Sequence, residues 1–220
     1  MPTPPSPAAI VFDLDGTLVD TVADRIEAWA ATFVERSIGV SREQLKPMIG
    51  MDGRRLAREV ARQAGRTLSD EEAEELDRRS GELFDERNRD PRPLPGARQL
   101  LAGLDARGLT WAIATSSRPE QVARSVAALG LGSEPRIVDG SRVENAKPAP
   151  DLLLLAAREL GQEPDATWYV GDSTWDMQAA AAARMPGIGV LAGAAVDGAA
   201  LRRAGARVVV ETLDQLELGT

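Results

Sequence analysis

Two aspartates, two residues apart, stand out near the start of this 220-residue chain: Asp13 and Asp15, in the string Asp13-Leu14-Asp15-Gly16-Thr17. A carboxyl of ordinary pKa, about 4, is ionised at neutral pH, so Asp13 is able to attack phosphorus. Asp15 lies past a turn that Gly16 permits, where it can point back over the same site. From there it can protonate a leaving oxygen and later take a proton from water. An acidic turn closing a strand is the plainer reading of the same residues.

Three further strings carry groups such chemistry needs. Thr115-Ser116-Ser117 offers a hydroxyl and backbone N–H groups to phosphate oxygens. With Pro119 and Glu120 following, it equally suits a helix N-cap, and both uses can coexist. Lys147, in Ala146-Lys147-Pro148-Ala149-Pro150-Asp151, is placed to neutralise a phosphoryl group and the Asp13 carboxylate. An isolated loop lysine would simply be solvated. In Gly171-Asp172-Ser173-Thr174-Trp175-Asp176, two carboxylates stand four apart. Asp172 suits direct coordination of Mg²⁺, and Asp176 suits orienting Lys147 or a water of the metal. N-capping by Asp172 or Ser173, with Asp176 favouring the helix dipole, is the structural alternative.

Composition removes competing chemistries. The chain has no Cys and no His, which excludes disulfides, thiolate nucleophiles, Ser-His-Asp triads and histidine-ligated metals. Any metal site must be built from oxygen, hence a hard cation. Apolar residues make up 43% and aromatic residues only 4%, so the core rests on Leu, Val, Ile and Ala. The 26 basic and 34 acidic residues give a net charge of −8. Such a surface repels nucleic acid and anionic membranes, so neither is expected as a partner. The Pro-rich start lacks a secretory pattern and no apolar run is long enough to span a membrane, so a cytoplasmic protein is expected.

The elements that must position these residues alternate. Apolar runs at Ala8 to Phe12, Leu109 to Ala114, Arg136 to Val138, Thr167 to Val170, Gly187 to Leu191 and Arg207 to Val210 read as buried parallel strands. Helical patterns lie between them, at Ala97 to Ala106, Pro119 to Leu129, Pro150 to Leu160 and Asp176 to Arg184. Gly130 and Gly161 read as C-terminal caps. This order predicts an α/β fold, a doubly wound, Rossmann-like parallel sheet, in which ligands bind beyond the carboxyl ends of the strands. The stretch from Val22 to Asn88 breaks the pattern with helical segments and no clear strand. It reads as an insertion after the first strand, with Asp90 to Gly96 as a stiff return linker. The expected organisation is a disordered tail over 1–7, a core over 8–19 and 95–220, and a helical insertion with its linker over 20–94.

Together these strings resemble the haloacid dehalogenase-like (HAD) hydrolase superfamily, and most closely the branch of phosphoglycolate phosphatases and β-phosphoglucomutases. The resemblance runs from about Ala8 to the end, on Val11 to Thr21, Ala-Thr-Ser-Ser, Lys-Pro-Ala-Pro-Asp and Gly-Asp-Ser-Thr-Trp-Asp-Met. It implies that Asp13 forms an aspartyl-phosphate and that Asp15 is the general acid and base. It implies that Thr115 and the backbone of Ser116 hold phosphate, and that Lys147 steadies nucleophile and phosphoryl group. Asp13, the Asp15 carbonyl and Asp172 would ligate Mg²⁺, with Asp176 beside them. The insertion would be a helical cap. Asp15 argues against the dehalogenating members, which do not keep this second aspartate. Ala146 and Arg184 depart from the usual pattern without removing a catalytic group.

The resemblance implies that the cap selects the substrate, a small phosphorylated metabolite. Arg54 and Arg55, in Gly50-Met51-Asp52-Gly53-Arg54-Arg55, either contact an anionic part of it or face solvent at a helix start. Arg118 reads as a surface residue. Rival functions are a phosphosugar mutase of the β-phosphoglucomutase type, a receiver-like module and a catalytically silent HAD-fold binding protein. The absence of a clear Lys or His in Gly50 to Leu56 favours the hydrolase. Both a monomer and a homodimer are compatible with the sequence.

Overall fold

The computed structural model describes residues 6–216. Of the expected tail, residues 1–5 lie outside the described residues, and Pro7 is buried against the body of the protein rather than disordered. The chain begins with β1 (Ala9–Phe12), whose four residues are all buried, as a strand covered on both faces requires. Next come β2 (Val19–Asp20), α1 (Val22–Glu35), α2 (Arg42–Leu45), α3 (Gly53–Gln63), α4 (Asp70–Arg87) and β3 (Arg92–Pro93). The remainder alternates: α5 (Ala97–Arg107), β4 (Thr110–Ala114), α6 (Pro119–Leu129), β5 (Ile137–Val138), α7 (Asp151–Leu160) and β6 (Thr167–Gly171). It closes with α8 (Thr174–Ala183), β7 (Gly187–Val190), α9 (Gly198–Ala204) and β8 (Val208–Val210).

Six strands form one parallel sheet in the order β5-β4-β1-β6-β7-β8, with β1 between β4 and β6. The period-two alternation of β1 sends Ala9 and Val11 to one face and Ile10 and Phe12 to the other. The first face packs on α7, α8 and Leu201 of α9, and the second on α5 and α6. Each fully buried Val, Leu or Phe side chain in these layers favours the fold by about 1.5–3 kcal/mol, before chain entropy is counted. Gly130 and Gly161 end α6 and α7 in the left-handed conformation, with φ of 65° and 67°.

The insertion has a core of its own. Ile26, Trp29 and Phe33 of α1 pack with Leu56 and Val60 of α3 and Leu76 of α4. Ser41–Gln44 and Ser69–Glu72 capping boxes start α2 and α4. The return segment differs from a simple linker: Val19 pairs with Pro93 and Asp20 with Arg92, antiparallel. Two residues per strand, one of them proline, are too few to show as a strand pattern.

Candidate active site

Parallel strands deliver their carboxyl ends to one rim, and β1, central in the sheet, brings Asp13 there. The Asp13 N–H donates to the Val170 carbonyl at 2.8 Å, which extends the β1–β6 ladder to the site itself. The chain then turns tightly, with the N–H groups of Leu18 and Val19 donating to Leu14 O at 3.0 and 3.1 Å. Gly16 holds φ +86°, and a Cβ there would lie 2.4 Å from Asp172 Oδ2. Glycine is therefore required twice, for the conformation and for the space. Thr17 closes the turn by donating its hydroxyl to Asp172 Oδ1 at 2.9 Å.

Lys147 is 1% exposed and ion-paired on two sides. Its Nζ donates to Asp13 Oδ1 and lies 2.8 Å from Asp176 Oδ1. Burial works against its charge, but Asp13 and Asp176 outweigh burial and hold its pKa above the ordinary lysine value. Asp176 is fully engaged. Its Oδ1 also accepts from the Tyr169 hydroxyl at 2.8 Å, and its Oδ2 accepts from Ser173 N and Oγ at 3.0 and 2.6 Å. The helix-cap and lysine-orienting readings of Asp176 thus hold at once. The N-cap of α8 is Ser173, not Asp172, which leaves the Asp172 carboxylate facing the rim.

Asp15 is tied down by residues that flank it from the core and the insertion. Its Oδ2 accepts from Arg25 Nη2 at 2.8 Å and Ser117 Oγ at 2.7 Å, and its Oδ1 from Thr21 Oγ1 at 2.8 Å. Burial alone would raise its pKa. Arg25, Ser117 and Thr21 prevail and lower it. Arg25 also donates to Gln121 Oε1 at 3.0 Å and lies 3.5 Å over the Phe84 ring. Thr115 is buried and uses its Oγ1 to accept the Ser117 N–H at 3.1 Å. The N-cap of α6 is Arg118, so the serines and threonine before it are not the cap.

The charge balance points to a cation. Among the described residues, four carboxylates, Asp13, Asp15, Asp172 and Asp176, share two ion-paired cations, Lys147 and Arg25. Burial pushes the Asp13 and Asp172 carboxyls up, with Lys147 opposing at both and Thr17 opposing at Asp172. Oxygens of Asp13, Asp172 and Asp176 lie within 4.8 Å of one another. Among the described residues, Oδ2 of Asp13 and Oδ2 of Asp172 accept no hydrogen bond. A divalent, oxygen-preferring ion fits this donor set in charge and in hardness.

The insertion lies down on the rim. Asp52 N–H donates to the Lys147 carbonyl at 3.2 Å, and Trp175 Nε1 donates to the Pro47 carbonyl at 2.8 Å. Gly50 holds φ +94°, and a Cβ there would meet Ser173 Oγ at 2.6 Å. Beneath lies a cavity of about 60 Å³, lined by Asp13, Asp15, Thr115 and Asp172 from the core and by Trp29, Asp77 and Ser80 from above.

Asp13, Asp15, Thr115, Ser116 and Asp172 line this cavity, and Lys147 and Asp176 back it. Arg54 and Arg55 are not brought there. They line a separate outer groove of about 1090 Å³, with Arg54 paired to Asp52 at 3.2 Å and Arg55 5.4 Å from the Trp175 ring. Asp52 caps α3 by accepting Arg55 N–H, and the helix start turns both arginines outward. Arg118 is not a free surface residue: it pairs with Glu74 and, at 2.9 Å, with Asp77, across the boundary between core and insertion. Arg25, Ser117, Thr21 and Asp77 escaped the sequence reading. Ser117 and Thr21 at least sit inside the strings singled out there.

A doubly wound sheet carrying an aspartate paired to a buried lysine and an acidic oxygen cluster at one rim, with a helical insertion lying over it, defines a class of hydrolytic enzyme. The family model described as haloacid dehalogenase-like hydrolase matches residues 7–184, and the chain belongs to that family. A phosphoglycolate phosphatase of Xylella fastidiosa is 32% identical over 195 residues, 85% of this chain and 81% of that protein. An N-acetylmuramic acid 6-phosphate phosphatase of Pseudomonas aeruginosa is 30% identical over 174 residues, 77% of this chain and 75% of that protein. The crystal structure of a hydrolase from Pseudomonas syringae superimposes with a TM-score of 0.87 at 34% identity, covering 93% of this chain and 94% of that one.

Proposed function

We propose that this HAD-family phosphatase hydrolyses a small phosphomonoester, of the phosphoglycolate or sugar phosphate type, through an aspartyl-phosphate on Asp13. The observation that carries the reading is geometric: Asp13 against Lys147, and Asp15 held by Arg25, Ser117 and Thr21, line one cavity together with Asp172. An Asp13 oxygen attacks phosphorus and the bond from phosphorus to the ester oxygen breaks. Asp15, in its protonated form, gives its proton to that oxygen. Water then attacks phosphorus, Asp15 takes the water's proton, and the Asp13–phosphorus bond breaks to release inorganic phosphate. Thr115, the Ser116 backbone and Lys147 hold the phosphoryl oxygens throughout.

Asp13, Asp172 and the Asp15 carbonyl would hold Mg²⁺, with Asp176 supporting Lys147 beside them. The ion supplies charge stabilisation at the phosphoryl oxygens when bound. Residues 8–19 and 95–220 form the catalytic core in this reading, and 20–94 the cap. Among the described residues no helix is long and apolar enough to cross a membrane, and a cytoplasmic setting belongs to this proposal. Turnover of p-nitrophenyl phosphate, with and without Mg²⁺, tests the proposal. Wild-type activity that needs the ion and disappears in Asp13→Asn supports it; activity untouched by Asp13→Asn rejects it.

A further inference from the structure

The catalytic steps use the floor of the cavity, and one side of it is lined by α4 of the insertion together with Gln121 of α6. On α4, Asp77, Ser80 and Gly81 share one face, three and four residues apart, and all line the cavity. Gln121 reaches in from α6. Ser80 is 3% exposed, and its hydroxyl makes no hydrogen bond among the described residues. Its side chain lines the cavity, where a hydroxyl can donate to or accept from a guest. Asp77 accepts from Arg118 on Oδ2 only, and Gln121 accepts from Arg25 on Oε1, which leaves the Asp77 Oδ1 acceptor and the Gln121 amide donors unspent. A Cβ at Gly81 would lie 2.0 Å from Gln121 Nε2, so the bare helix there gives the amide its place beside the cavity.

Charge separates possible leaving groups further. Each cation near the cavity is already paired: Lys147 with Asp13 and Asp176, Arg25 with Asp15, Arg118 with Glu74 and Asp77. A leaving group with its own carboxylate would come up against Asp77, and among the described residues lining the cavity no unpaired cation stands ready to receive it. Burial already raises the Asp77 pKa, with Arg118 opposing, so a second anion beside it carries a further cost. A hydroxyl-bearing group finds an acceptor, a donor and a hydroxyl that does either.

Building on the phosphatase reading, we propose that Asp77, Ser80 and Gln121 read hydroxyl groups, so that the preferred leaving group is a neutral polyol or sugar rather than a carboxylate-bearing one such as glycolate. A polar site of this kind discriminates strongly because its groups go unpaired with the wrong ligand. The test compares kcat/KM of the full chain with Mg²⁺ on a hexose 6-phosphate, glycerol 3-phosphate, 2-phosphoglycolate and p-nitrophenyl phosphate. The better hydroxylated ester is expected to exceed 2-phosphoglycolate by about tenfold or more. Asp77→Asn should narrow that ratio by raising the 2-phosphoglycolate value, and Ser80→Ala by lowering the other. If 2-phosphoglycolate is turned over as well as or better than the hydroxylated esters, the inference falls while the phosphatase reading stands. A wild-type preference that neither variant moves removes these residues as its source. Absence of phosphate release from every ester, p-nitrophenyl phosphate included, overturns both.

Discussion

Arg25 Nη2 lies 2.8 Å from Asp15 Oδ2, so the first helix of the insertion grips the carboxylate that moves the proton in the proposed mechanism. The guanidinium lowers the Asp15 pKa against the pull of burial. Arg25→Met is therefore expected to raise the Asp15 pKa and shift the corresponding limb of the kcat/KM pH profile to higher pH. A reduction in kcat/KM of about 10–100-fold should accompany the shift. A profile that superimposes on wild type after scaling would show that Arg25 does not act through Asp15.

The same pair has a stability signature. A carboxylate whose native pKa lies below its unfolded value, about 4, stabilises the fold above that value and ceases to do so as pH falls through the native pKa. The stability gap between wild type and Arg25→Met should be widest near neutrality and narrow in acid. Urea unfolding across a pH series measures it, and a gap that widens in acid would contradict the assignment.

The cluster of Asp13, Asp172 and Asp176 oxygens predicts a thermal response to metal. Mg²⁺ should raise the melting temperature of wild type, by about 2.7 kcal/mol of stabilisation at a hundredfold excess over Kd. Asp172→Asn, which removes one charge from the cluster, should blunt this rise, while an equal ionic strength of NaCl should not reproduce it in either protein. Scanning fluorimetry decides between the two.

Gly16→Ala places a methyl group in the left-handed region and 2.4 Å from Asp172 Oδ2. Strain of this kind costs about 1–3 kcal/mol, and displacement of Asp172 adds a loss of metal response. The unfolding midpoint and the Mg²⁺-induced shift should both fall. An unchanged midpoint would mean the turn relaxes freely.

How much of this was legible in the sequence depends on what holds each residue in place. Asp13, Thr115 and Asp172 end or directly follow strands of one parallel sheet, so their meeting is a consequence of topology that strand patterning reveals. Arg25, Asp77 and Ser80 face the site only because α1 and α4 pack as they do over it, and an amphipathic helix does not announce which polar residue points inward. Arg54 and Arg55 sit beside the right loop, yet the Asp52 cap sets the start of α3 so that they turn away. The Val19–Asp20 pairing with Arg92–Pro93 is tertiary contact written in four residues, below what periodicity can reveal.

That short pairing bears on how such a chain can change over time. The outgoing and returning crossings run side by side, so the insertion leaves and rejoins the sheet at neighbouring points. Apart from Thr21 and Arg25, which hold Asp15, the stretch between them is expected to tolerate lengthening, trimming or exchange for a relative's counterpart without altering the register of any strand in the six-stranded sheet. One inherited reaction centre is thereby open to new substrates by exchange of a single stretch of gene, with the grafting points fixed at residues 19–20 and 92–93.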